Sequence, residues 1–418
     1  MFKCPAINHL SIVMTICIAG VSASYGQDIS RPAKPQIELL EELPIQEPSP
    51  VETNTPEAEP ITEVPAEVRA QPALSGQLAE VIAVANQYIA RKDRWISNAK
   101  PGEVGAVEGY DRKPAIEGLT DLYKATGDTS YINLAITLAH EYIDSGKEVT
   151  GDGYLDWFST ASGGYDHSHY EWRAGAGIGY LLSELAKPTN AGAYSNEVRK
   201  FSQYLETSVW EKWGPSGPLA NTDNINTNAT YFIGRLGLAV IGLHKSTGDD
   251  KYLQWLNSRG GELIRSLKNQ YNAKLNTYNL TGRTNGQDVA ASPTPGTVDT
   301  PHASDAFSFL SHAKLEGYDL GGEFDDVVLN RVVNTLSSVI FKEDRFTANV
   351  DGSESGILAV FADNNGGFAR LAVFNNDLLD RYARYVTAES TYASGVVSFE
   401  NRIHTLGSVA FALAYKGQ

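Results

Sequence analysis

The sequence predicts an all-α protein, a ring of about six helical hairpins forming an (α/α) toroid, or incomplete barrel. Three observations lead there. Turn signals recur at roughly 60–70 residues through most of the chain. Each turn is flanked by runs with apolar residues at helical spacing. The connections alternate between a few residues and a long loop, as they must when hairpins stand side by side.

Residues 1–72 stand apart from this pattern. Lys3 precedes the apolar run "HLSIVMTICIAGV", which ends in the small residues "SAS". That pattern reads as a signal peptide over 1–26, with an apolar run too short to span a bilayer. Cys4 and Cys17, the chain's two cysteines, both fall in it, so the mature chain is expected to carry no disulfide or thiol chemistry. Residues 27–72 are rich in Pro and Glu and nearly lack aromatics, the composition of a disordered linker. The expected destination is secreted or periplasmic. Residues 73–418 then form the toroid catalytic domain.

Within it, "IEGLTDLYKATGDTSYINLAITLAHEYI" turns at Thr126-Gly127-Asp128, and a second pair turns at Thr247-Gly248-Asp249. Further pairs turn at Lys187-Pro188, near Gly317 and at Asn375-Asn376-Asp377. The long links are expected around 93–111, 147–172, 211–228, 270–301, 342–365 and 389–401. Helices after the long links, such as "RAGAGIGYLLSEL", are small and apolar, which suits a crowded inner ring. Helices before them carry more charge, which suits an outer ring. Gly175, Gly177 and Gly179 therefore read as packing positions; no strand precedes them to make a dinucleotide fingerprint.

The inner-helix starts carry the chemistry. They hold Tyr110, Asp111, Arg112 and Lys113; His167, His169, Tyr170 and Arg173; Asn226, Asn228, Tyr231 and Arg235; Asp299, His302 and Asp305; and Arg402 with His404. All these N-termini point to one mouth, where helix dipoles favour anions. Arg112, Arg173 and Arg402 reinforce that preference despite a net charge of −16, much of it contributed by the linker. Trp157 and Trp172 offer flat faces for sugar rings. Plainer readings stand beside these: Trp172 as core, Asp305 and Asn228 as helix caps, His404 as a hydrogen-bonded core histidine. Three polar groups, His169, Tyr170 and Arg173, leading into a small-residue helix are costly to bury without purpose.

With its mouth of His, Tyr, Arg and Asn, the ring resembles (α/α) toroid polysaccharide lyases, most closely alginate and glucuronan lyases. The resemblance covers about residues 75–416, and "DHSHYEW" is similar to the Asn-His…Tyr-Trp stretch of those enzymes. It implies β-elimination on a uronic-acid polymer. A His or Tyr acts as base, a Tyr as proton donor, and Asn, His or Arg neutralises the substrate carboxylate. The departure is Asp166 or Ser168 in the Asn place, so Asn226 or Asn228 would take the neutralising role. The catalytic set is then His169, Tyr170, Arg173, Asn228, Tyr231 and His302, with His169 or His302 as base or neutraliser and Tyr170 or Tyr231 as donor. Arg112, Trp157, His167, Trp172, Asn226, Arg402 and His404 are expected to bind substrate.

No cofactor is needed for this chemistry, and "DGYLDW" and "NVDGSESG" are only weak signals for structural calcium. The expected partner is an acidic polysaccharide; with no basic stripe, nucleic acid is not expected. The alternatives are a glycoside hydrolase using two of Glu171, Asp223, Asp305 and Glu400, a uronate C5-epimerase, and a non-catalytic glycan-binding envelope protein.

Overall fold

The computed structural model describes residues 76–91, 105–158, 164–165, 168–217, 229–282, 298–342, 345–353, 366–388 and 399–417. The expected signal peptide and linker lie outside these residues, as do His167, Asn226 and Asn228.

The ring helices are α1 (Gly76–Ile89), α2 (Ala106–Thr126), α3 (Thr129–Ser145), α4 (Ser168–Leu185), α5 (Ser195–Tyr204), α6 (Thr230–Thr247), α7 (Asp250–Trp255), α8 (Thr300–Leu315), α9 (Asp326–Thr335), α10 (Gly366–Ala369), α11 (Asn376–Thr387) and α12 (Phe399–Lys416); a single helical turn at Pro188–Ala191 and the helical segment Gly261–Asn269, which extends α7, complete the helices among the described residues. Helices α5, α7 and α9 continue through wide turns at Leu205–Glu211, Leu256–Gly260 and Leu336–Ile340, and α10 runs into a tighter turn at Arg370–Phe374. The β-structure among the described residues is two short ribbons, Tyr271–Asn272 with Thr277–Tyr278 and Phe341–Lys342 with Arg345–Phe346.

The hairpin turns follow from local chemistry. In both Thr-Gly-Asp turns the glycine takes a left-handed backbone, φ +73° at Gly127 and +70° at Gly248, a region that L side chains avoid. The aspartate after it caps the next helix: Asp128 accepts from the Ser130 amide and Asp249 from the Lys251 amide. Asp299, Asp325 and Asn375 cap α8, α9 and α11 in the same way.

The inner ring is α2, α4, α6, α8, α10 and α12, each packed on the next, with α12 closing against α2. Five hairpins are consecutive in sequence. The sixth is assembled from the first and last described helices: α1 packs on α12, and Arg402 near the start of α12 donates to the Tyr88 hydroxyl near the end of α1 at 3.0 Å. The fold is the (α/α) toroid expected from the repeats. Two link boundaries differ by several residues. Helix α2 begins at Ala106, so Tyr110 and Asp111 are helical and do not lie in the link expected over 93–111, and α4 likewise begins at Ser168, inside the link expected over 147–172.

Glycines explain how tightly the ring closes. A Cβ at Gly177 would meet the Lys113 backbone, one at Gly179 would lie 2.4 Å from Ala239 Cα, and one at Gly234 would strike the Asp305 backbone. Gly367 lies against Ser304, Gly366 against His404, and Gly118 against Gly407. Thus every interface between neighbouring inner helices has a residue whose missing side chain lets the helices touch. This confirms the packing role of Gly177 and Gly179; Gly175 instead abuts Val209 in the wide turn after α5.

A Gly179→Ala substitution is expected to overpack the α4–α6 contact and cost about 1–3 kcal/mol or more. Gly192→Ala is the control, because Gly192 has φ −66° and no atom within 4 Å of an added Cβ; it should be neutral or stabilise by up to ~1 kcal/mol. Thermal unfolding followed by helical circular dichroism reads both.

Candidate functional site

The N-terminal ends of α2, α4, α6 and α8 meet at one end of the ring. Three are pinned or interrupted in identifiable ways. At the start of α6, the Thr230 amide and hydroxyl bond the carbonyls of Gly282 and Thr281. At the start of α8, the Thr300 amide donates to the Ala348 carbonyl and its hydroxyl to the Thr347 carbonyl. In α2, Pro114 lacks the amide that would bond the Tyr110 carbonyl, so the helical ladder is interrupted beside Tyr110.

On this frame the rings of His169, Tyr231 and His302 form a triangle, with centroids 6.1 Å (His169–Tyr231), 5.9 Å (His169–His302) and 4.7 Å (Tyr231–His302) apart. Tyr110 stacks on His169 at 5.3 Å and meets Tyr170 edge-on at 5.4 Å. The Arg173 guanidinium lies 3.7 Å from the centre of the Tyr110 ring. Five expected catalytic residues, His169, Tyr170, Arg173, Tyr231 and His302, are therefore brought together. The sixth, Asn228, lies outside the described residues.

Burial, then Tyr110 and Asp111, push the Tyr170 phenol above its usual value, with Arg235 opposing. Tyr170 thus keeps its proton near neutral pH, as a donor must. Burial works against the charge on Arg173, but Tyr110, Asp305 and Asp111 outweigh it and hold the guanidinium charged.

Beneath the triangle runs a buried chain of charges. Arg235 Nε donates to Asp305 Oδ2 at 2.6 Å, and Lys113 Nζ lies 3.0 Å from Asp305 Oδ1 and 2.8 Å from Glu117 Oε1. Arg370 then bridges Glu117 at 3.0 Å and Asp121 at 2.9 Å, and Asp121 accepts from the Tyr180 and Ser408 hydroxyls. Burial alone would raise the Asp305 and Glu117 carboxyls. Arg235, Lys113 and Arg173 instead hold Asp305 well below the usual carboxylate range, and Lys113, His404 and Arg370 do the same for Glu117.

Several expected substrate contacts prove to be structural. Trp157 is 1% exposed, stacks on Tyr142 at 4.5 Å and donates its indole N–H to the Tyr142 carbonyl. Trp172 is 2% exposed against Phe232. Both are core side chains with no face for a sugar. Arg112 is spent on Glu141 and Arg402 on Tyr88, so of the three arginines expected to draw an anion only Arg173 stands in the cluster. His404 is buried 3.0 Å from Glu117, and burial lowers its affinity for a proton.

Sequence reasoning named Tyr110, Arg235 and Asp299 at the inner-helix starts but placed none of them in the catalytic or substrate-binding sets. It also missed Phe158 and Tyr165, exposed rings 5.5 Å apart in the segment leading to α4. Asp156 of "DGYLDW" is committed to Lys212 at 2.9 Å. Among the described residues no group of three or more His, Cys, Asp or Glu is arranged to hold a metal, and no helix is long and apolar enough to cross a membrane.

Two solved structures share this fold. One is described as a polysaccharide lyase, with 10% identity, a TM-score of 0.50, and coverage of 82% of this chain and 99% of that one. The other is a beta-1,3-1,4-glucanase from Paenibacillus sp. X4 in its apo form, with 14% identity, a TM-score of 0.53, and coverage of 82% and 94%. At these identities the likeness establishes the toroid fold. No family model and no curated protein matches the sequence.

Removing Lys113 as Lys113→Met would leave Asp305 and Glu117 without their shared cation. The expected cost is about 3–5 kcal/mol, read by urea unfolding. A second prediction concerns Glu171, which with Asp156 shares the fully buried Lys212. One cation cannot serve two carboxylates equally, and burial raises Glu171 from its usual 4.5 to about 7 against the pull of Lys212 and Trp213. Its contribution to stability is therefore fully present below about pH 4.5 and lost as pH rises through about 7. Glu171→Gln should flatten this part of the melting-temperature profile between about pH 4.5 and about pH 7.

Proposed function

We propose that this chain is a polysaccharide lyase that cleaves a uronic-acid-containing polymer, of the alginate or glucuronan type, by β-elimination. One observation carries the reading: two histidines and three tyrosines converge with a charged arginine at the mouth of an inner-helix ring. In the proposed reaction a base takes the proton from C5 of the uronate. The bond from C4 to the glycosidic oxygen breaks, a C4–C5 double bond forms, and a tyrosine protonates the departing oxygen. Arg173 suits the substrate carboxylate, whose neutralisation makes the C5 proton removable. Tyr170, held as a phenol, suits the donor role. The exposed Phe158 and Tyr165 rings suit sugar faces near α4. We further propose an exported location, in keeping with the leader sequence.

The hydrolase alternative needs two available carboxylates flanking the scissile bond. Asp305 is neutralised by Arg235 and Lys113, Glu171 is fully buried beside Lys212, and Asp299 is engaged by His302. Of the four carboxylates expected for hydrolysis, these commitments engage Asp305 and Glu171; Asp223 lies outside the described residues and Glu400 stands in the first turn of α12, so the reaction products decide between elimination and hydrolysis.

The test offers alginate, glucuronan and a neutral β-glucan in turn, following both the ultraviolet absorbance of the unsaturated uronate and new reducing ends. The expected outcome is absorbance growing with reducing ends on a uronate polymer and neither signal on the neutral glucan. Reducing ends without absorbance would establish a hydrolase instead.

A further inference from the structure

The two histidines at the mouth are 5.9 Å apart between ring centroids, but they are held by partners of opposite character. His169 Nδ1 lies 3.0 Å from Arg235 Nη1, which also donates to the His169 carbonyl at 3.1 Å. A guanidinium has only N–H groups and never accepts. His169 Nδ1 must therefore accept, and the ring proton of the neutral imidazole sits on Nε2. A proton on Nδ1 would set an N–H against a cation. Arg235 cannot turn aside, because its Nε is bound to Asp305 at 2.6 Å and Asp305 is fixed in turn by Lys113 at 3.0 Å.

His302 is the mirror case. Its Nδ1 lies 2.6 Å from Asp299 Oδ2. A carboxylate only accepts, so Nδ1 carries the proton and Nε2 presents a lone pair. No described residue bonds that Nε2, and the side chain is 28% exposed. Asp299 does this with one oxygen while the other, Oδ1, accepts from the His302 amide as the cap of α8.

We propose that the two histidines hold fixed and opposite tautomers, His169 as a donor through Nε2–H set by Arg235, and His302 as the proton acceptor through Nε2 set by Asp299. The structural part stands alone; the division of catalytic labour rests on the lyase reading. In that reaction His302 Nε2 takes the C5 proton and becomes an imidazolium beside the Asp299 carboxylate. His169 Nε2–H donates to the uronate carboxylate. A tyrosine gives its proton to the leaving oxygen, and after product release the proton on His302 returns to the tyrosinate through solvent. Arg235 and Asp299 are positioning residues in this scheme, since they act through the histidines.

The first test needs no substrate. Long-range proton–nitrogen spectra of the full chain with ¹⁵N-labelled histidine distinguish protonated from unprotonated ring nitrogens. His169→Gln and His302→Gln identify the two residues by the signals they remove. The expected spectrum shows His169 protonated at Nε2 and His302 at Nδ1, under conditions where both rings are neutral. The same tautomer at both sites, the reverse assignment, or averaged signals would overturn the proposal.

The second test separates the roles. A glutamine amide can donate to a carboxylate but cannot take a proton. His302→Gln should therefore lose roughly 10²–10⁴ in kcat, while His169→Gln retains substantially more turnover. Asp299→Asn keeps the helix cap, because asparagine caps as well as aspartate. It should stay folded yet lose roughly 10²–10⁴ in kcat through loss of the fixed tautomer and the counter-charge. A His169→Gln loss equal to or greater than that of His302→Gln, or an unaffected Asp299→Asn, would overturn the assignment of roles. Absence of elimination on every uronate polymer would remove the lyase reading, and the spectra would then decide the tautomers by themselves.

Discussion

The chain of paired charges along the ring axis is the constraint on which the rest of the structure depends. Inner helices that touch at glycine leave little room for water between them, and charges in such a setting are tolerated only with partners. The links come from all six walls of the ring. Helix α2 supplies Lys113, Glu117 and Asp121, α6 Arg235, α8 Asp305, the turn that follows α10 Arg370, and α12 His404 and Ser408. Tyr180 of α4 completes the set through Asp121. The pairings thus specify which helix stands beside which, a task that interchangeable small apolar faces perform poorly. They also carry fixed geometry to the mouth, where the last link, Arg235, meets His169.

Close packing and buried charge support one another here. Gly177 lets α4 rest on the backbone of Lys113, and Gly234 lets α6 rest on the backbone of Asp305. These are the two residues that form the ion pair below the histidines. A side chain at Gly234 would push α6 from α8 and so separate Arg235 from Asp305, leaving the cost of burying them uncompensated.

The architecture was legible in the sequence because its signals are local. Thr-Gly-Asp encodes a left-handed turn and the next helix cap within three residues, and small-residue runs mark helices that must approach closely. The cluster of His169, Tyr170, Tyr231 and His302 was legible for a related reason, since each stands at the start of an inner helix and those starts converge. What was not legible depends on neighbours distant in sequence. Lys113, Glu117 and Asp121 recur at helical spacing and look like a solvated face; only ring closure turns that face inward. Trp157 and Trp172 stand beside polar loops, and nothing local distinguishes a ring facing a substrate from one covering Tyr142 or Phe232. Arg112 and Arg402 look like free cations until Glu141 and Tyr88 are placed beside them.

The pairing of α1 with α12 makes the ring a circle with a single nick. In the other hairpins the end of an inner helix passes by a short turn into the start of its outer partner; here the end of α12 and Gly76 take those two places with no bond between them. Order along the chain is then partly a matter of where the circle is cut, and an artificial join between these ends with a new opening in one of the long links would preserve every helix contact. The nick also sets an orientation. Gly76, where α1 begins, stands at the end of the ring away from the histidines, since Tyr88 at the other end of α1 meets Arg402 at the start of α12.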